Sequence, residues 1–149
     1  MSKEHDEGMS VIVKTITRLT VGLILLYGIH ILSHGHISPG GGFAGGVIIA
    51  LSFIHLMLAY GKKAALDKLS KSRTSFFENF GALMFLAIAL AGLTGGYFFY
   101  NFLPLGRPFR LFSAGTIPLS NIAISLKVGA GLFAIFTALI LLKFDTEDK

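Results

Sequence analysis

The chain of 149 residues has no cysteine. That excludes disulfides, thiolate metal sites, cysteine-held iron–sulfur clusters and thiol catalysis within it. Charge is also scarce: 14% of residues are Asp, Glu, Lys or Arg, where a soluble domain carries about 25%. No nucleophile–base pair and no metal cluster stands at usable spacing, so nothing points to an enzyme and no cofactor is expected. The ~10-residue alternation of a membrane barrel is missing, and no convincing internal repeat is present. The formal charge of +5 does not signal nucleic acid, because the basic residues sit beside apolar runs, where membrane topology accounts for them. A signal peptide is not expected either. MSKEHDEG is mostly acidic and the apolar stretch after it is too long.

What is present is hydrophobic length. Apolar residues make up 53% of the chain. They gather into four runs, about 11–33, 43–60, 76–100 and 117–142. Each is at or near the length that crosses ~30 Å of hydrocarbon at 1.5 Å per residue. Backbone polar groups in lipid must be satisfied within the segment, so these runs are helices. The expected fold is an all-α integral membrane protein of four spans, with residues 1–149 as a single membrane domain.

Lys and Arg set the orientation. The second loop, GKKAALDKLSKSR, carries Lys62, Lys63, Lys68, Lys71 and Arg73 against Asp67. The first loop, HGHISPGGG, has no Lys or Arg, and the third has Arg107 and Arg110. Placing the second loop inside puts Lys3, Lys14, Arg18, Lys143 and Lys149 on the same side. Both termini are therefore expected in the cytoplasm, in a multi-pass protein of the cell membrane. Lys14 and Arg18, four apart on one helical face, are candidates for lipid phosphate or for another subunit.

The densest local signal is HGHISPGGGFAGG, His34 to Gly46. Pro39 with Gly40, Gly41 and Gly42 ends one helix and allows a tight turn. Gly42 and Gly46 then stand four apart, the spacing that lets helices approach closely in lipid. Gly92 and Gly96 repeat it in the third run. The loop lacks the Lys-Ser/Thr ending of a phosphate-binding loop. His30, His34 and His36 cluster nearby, but no carboxylate or cysteine joins them and no metal is assigned.

Ionisable residues at membrane depth are functional candidates by default. Lys127 lies ten residues into the fourth run, ~15 Å deep. Its stripe of Ser120, Ile124, Gly131, Ala134 and Ala138 is mostly small, which suggests a neighbouring helix or a cavity. A lysine held away from water can exchange protons. His55 lies twelve residues into the second run, ~18 Å deep, and imidazole can relay protons. The two are expected at similar depth, as a possible pair. Glu78, read at the start of the third run, looks too shallow to reach Lys127 and suited to complement a helix N-terminus. Lys127 is then expected to draw its counter-charge from another subunit.

The glycine loop carries a family resemblance. Gly35, His36, Pro39, Gly40, Gly41, Gly42, Phe43, Gly45 and Gly46 match the GH-x-x-PGGGF-x-GG motif of the B subunit of Mrp-type cation/proton antiporters. Size and helix number are similar too. The resemblance implies a non-enzymatic subunit whose partners are other membrane subunits, lipid, protons and a monovalent cation such as sodium. Related subunits occur in archaeal membrane-bound hydrogenases and sulfur-reducing complexes. Lys127, His55 and Glu78 are ion-path candidates because they place ionisable groups within the apolar runs. A purely structural, helix-packing subunit is the alternative.

Overall fold

In the computed structural model, the described residues are 9–61, 70–107 and 113–147. Lys3, Lys62, Lys63, Asp67, Lys68, Arg110 and Lys149 lie outside them. The described residues form four helices and no strand: α1 (Val11–Ser33), α2 (Gly42–Tyr60), α3 (Lys71–Ala91) and α4 (Ile117–Glu147). All four are long and apolar enough to cross a membrane.

Each helix end has a local cause. Past Ser33 the chain turns through Pro39, and Gly40 and Gly41 take φ values of 147° and 99°, angles that a side chain would strain. At the far end of α2, Gly61 at φ 85° closes the helix, its N–H donating to Met57 O. Ser70 caps α3, accepting the Arg73 N–H at 3.4 Å. Helix α3 ends at Ala91, tightens into a 3-10 turn over Gly92–Gly95 and is released by left-handed Gly96. Tyr97 to Tyr100 therefore lie beyond the helix, where the sequence reading continued the run to Tyr100.

The helices do not pack in chain order. α1 lies against α2, α2 against α4, and α4 against α3, with α1 only grazing α4. The spatial order is α1, α2, α4, α3. At one end lies the glycine loop. At the other, Met9 N–H donates to Ala59 O at 3.0 Å, which ties the start of α1 to the end of α2.

Between α2 and α4 the core is Met57 and Phe133, with Phe53, Ile54, Phe136 and Ile140 around them. Most other large apolar residues face outward, among them Leu19, Leu23, Leu26, Leu83 and Leu139. That distribution suits hydrocarbon as the surrounding solvent. Tyr97, Phe98, Phe99, Tyr100 and Phe102 are also exposed. They follow the end of α3, where the Phe98 and Phe99 rings meet edge to face with centroids 4.8 Å apart.

Candidate functional site

Close backbone approach of helices in lipid favours small residues, because apolar side chains gain little by leaving lipid for one another. Gly46 provides one such contact. A Cβ there would sit 2.9 Å from Ser125 O and 3.1 Å from Ser125 Cα, so α2 and α4 touch backbone to backbone. Gly42 meets the Asn121 backbone in the same way, and its N–H donates to Asn121 Oδ1 at 3.2 Å. The first turn of α2 has no side-chain cap of its own. Asn121, from α4, supplies the missing acceptor. The glycine loop is thereby folded around a residue from the far end of the sequence. Gly45 turns the other way, toward Leu32 of α1. Gly35 and Gly41 abut Asn121 and one another. Around them His36 is partly buried, while Pro39, Gly40 and Phe43 are exposed at the loop surface.

Gly92 and Gly96 do not repeat this role, contrary to their spacing. The 3-10 turn takes Gly92 out of helical register, so it meets Phe99 and Tyr100 of its own loop. Nothing lies within 4 Å of a Cβ on Gly96. Close approach of α3 falls instead to Gly81, where a Cβ would lie 2.7 Å from Lys127 N and 2.8 Å from Ala123 O.

That contact sets the geometry of the polar site. Lys127 Nζ donates to Glu78 Oε1 at 2.6 Å. The expectation that no carboxylate of this chain reaches Lys127 is therefore wrong, and Glu78 is not a helix-end residue. Helix α3 begins at Lys71, five residues before the apolar run, and its first turn holds no acidic residue. Glu78 thus lies about two turns, ~10 Å, into the helix. The close approach at Gly81, one turn on, brings the two side chains together. Gly131, one turn beyond Lys127, leaves room for the carboxylate: a Cβ there would stand 3.9 Å from Glu78 Oε1. In the isolated chain the side chains of Lys127 and Glu78 are 47% and 32% exposed.

His55 is not part of this site. Its Nε2 lies 3.2 Å from Thr17 Oγ1, a hydrogen bond whose donor depends on the imidazole tautomer, and 3.5 Å from Thr20 Oγ1. Thr17 is fully buried. Phe53 and Met57, two residues to either side of His55, belong to the α2–α4 core. At 100° per residue His55 then points the opposite way, toward α1. The pairing of His55 with Lys127 is overturned for that reason. Two polar sites flank an apolar core, one between α1 and α2 and one between α3 and α4. Near the first, Tyr60 O–H donates to Lys14 O at 2.9 Å. Arg18 is exposed.

The histidine rings of His30 and His34 pack with centroids 4.1 Å apart. Among the described residues no group of three His, Cys, Asp or Glu could hold a metal ion. Sequence reasoning missed Asn121, Gly81 and the threonines around His55. Thr17 and Thr20 stand three apart in an apolar run, and Gly81 stands three from Glu78; both spacings were visible signals.

A four-span membrane protein with a glycine turn at one end and an ion pair between two of its spans is the class this geometry defines. Residues 12–134 match the family described as a domain related to the MnhB subunit of Na+/H+ antiporter, and the chain belongs to that family. A relative from Methanocaldococcus jannaschii, described as uncharacterized, is 40% identical over 117 residues, which are 74% of this chain and 44% of the relative. A putative antiporter subunit mnhB2 of Staphylococcus aureus (strain Newman) is 39% identical over 67 residues, 45% of each protein. The matches thus cover less than half the length of these curated relatives. Among solved structures, a chain of the membrane-bound sulfane sulfur reductase, an archaeal respiratory membrane complex, superposes with a TM-score of 0.74 at 30% identity. That superposition covers 93% of this chain and 63% of the other.

Proposed function

We propose that this chain is a non-catalytic subunit of a multi-subunit membrane complex that exchanges sodium, or another monovalent cation, for protons. Its Glu78–Lys127 pair contributes to the ion path. Membership of the MnhB family supports the setting. The observation that carries the path role is the ion pair itself. Charged side chains within a span are expensive, and this chain keeps two of them in contact with part of each uncovered. The Glu78 carboxylate can take a passing proton or cation when it gives up its bond from the Lys127 ammonium, so ion and lysine compete for one site. His55, with its hydroxyl partners, is a second and separate relay candidate.

The likeness to a respiratory complex favours a related reading, in which the same kind of subunit serves an ion-pumping module driven by redox chemistry. Under either reading the Glu78–Lys127 pair is the proposed path residue set. The deciding experiment is Lys127→Ala in the whole complex, reconstituted into vesicles, with cation/proton exchange measured per assembled complex. The expected result is a fall of at least tenfold with the other subunits retained. Unchanged exchange per complex rejects the path role, and loss of assembly supports the structural alternative.

A further inference from the structure

The ion pair also identifies a docking face. Lys127 Nζ carries three N–H donors, and among the described residues its one hydrogen bond is to Glu78. Both side chains are partly uncovered in the isolated chain, at 47% and 32%. Hydrocarbon can satisfy neither the remaining donors nor the carboxylate. Lys127 lies ~15 Å from the start of α4, measured along the helix, and Glu78 stands two residues past the start of the apolar run near Phe76.

The stripe in register with Lys127 is small, with the exposed Ile135 and Leu139 beside it on α4. Gly131, Ala134 and Ala138 follow Lys127 at one-turn intervals, and Ala138 is exposed. The free face of α1 carries Ile12, Ile16, Leu19, Leu23 and Leu26, all large and exposed. Large apolar side chains suit lipid, while a polar pair beside small residues suits a close helix. The pair is neutral as a unit, so a third charge at that depth would be left uncompensated. A hydroxyl or carboxamide can accept from Lys127 and donate to Glu78 at once.

We infer that the α3–α4 face around Glu78 and Lys127 receives a transmembrane helix of another subunit, bearing Ser, Thr, Asn or Gln at the depth of the pair. This rests on the multi-subunit reading above and adds the surface and the chemistry of the contact.

The absence of cysteine makes a direct test possible. Ala134→Cys and Ala138→Cys, each carrying a benzophenone maleimide, are photolysed in the purified whole complex in lipid bilayers. Leu23→Cys on α1 is the comparison. Adducts are digested and identified by mass spectrometry. The expected result is attachment from both α4 positions to a span of another subunit, within one turn of a Ser, Thr, Asn or Gln, and from Leu23→Cys to lipid. Attachment from α4 only to lipid, to a second copy of this chain, or to a span with apolar side chains alone overturns the inference while exchange by the same complex leaves the functional reading standing. Purification without any other subunit overturns both.

Discussion

Two residues illustrate how side-chain chemistry is distributed over this molecule. Glu78 and Lys127 are 49 positions apart in sequence yet share one hydrogen bond. Interhelical polar contacts of this kind are worth roughly 0.6–2 kcal/mol in membranes. A double-mutant cycle of Glu78→Ala, Lys127→Ala and the double variant, followed by unfolding in mixed micelles, is expected to give a coupling of about 1 kcal/mol. A coupling indistinguishable from zero would mean that the two side chains do not stabilise each other. Asn121 is the second case. Replacing it by Ala removes the acceptor for Gly42 N–H and is expected to lower stability by about 1 kcal/mol. Local opening of the α2 start, read by amide hydrogen exchange at Gly42, should increase in that variant and not in Arg18→Ala. Neither partnership was legible in the sequence. Composition marks Lys127 as exceptional, but which helix its side chain faces depends on rotation and neighbour order, and hydropathy carries neither.

At the scale of the helix, the apolar runs locate hydrocarbon better than they locate helix ends. The third run begins in hydropathy near Phe76, while the helix begins at Lys71 behind the Ser70 cap. That difference moves Glu78 from the helix mouth to its second turn, and with it the meaning of the residue. The GxxxG-type spacing was informative in α2, where Gly46 meets Ser125. It misled in α3, where the helix has already ended. Spacing predicts contact only while helical register persists. Glycines can be ranked on the same basis. Gly81→Ala places a Cβ against the Lys127 and Ala123 backbones and is expected to cost about 1–3 kcal/mol by forcing α3 and α4 apart. Gly22→Ala meets nothing within 4 Å and gains helix propensity, so it should be neutral or slightly stabilising. Comparing the two by unfolding in micelles checks the assignment, and equal effects would contradict it.

For the whole molecule, hydropathy alone was sufficient to anticipate the four membrane-length helices of the described residues. Direction across the membrane is a separate question, on which the placement of Lys and Arg bears. The basic second loop predicts that the N-terminus is cytoplasmic and the glycine loop extracytoplasmic. Met9→Cys and Ser38→Cys, introduced singly, should then differ. A membrane-impermeant maleimide should label Ser38→Cys in intact cells and Met9→Cys only after permeabilisation. The reverse pattern would invert the topology.

The spatial order of the helices bears on how the chain is made. Ribosomes deliver α1, α2, α3 and then α4, yet α4 lies between α2 and α3. Until α4 enters, α3 is without its neighbour and Glu78 without Lys127, while α1 and α2 can already pair. Late arrival of α4 completes two interfaces at once and caps α2 through Asn121 in the same step. A nascent chain stalled before Ile117 would therefore hold a paired hairpin and a stranded third helix, a natural target for quality-control proteolysis. Completion of the α2–α4 and α3–α4 interfaces should behave as a single event timed to the entry of α4.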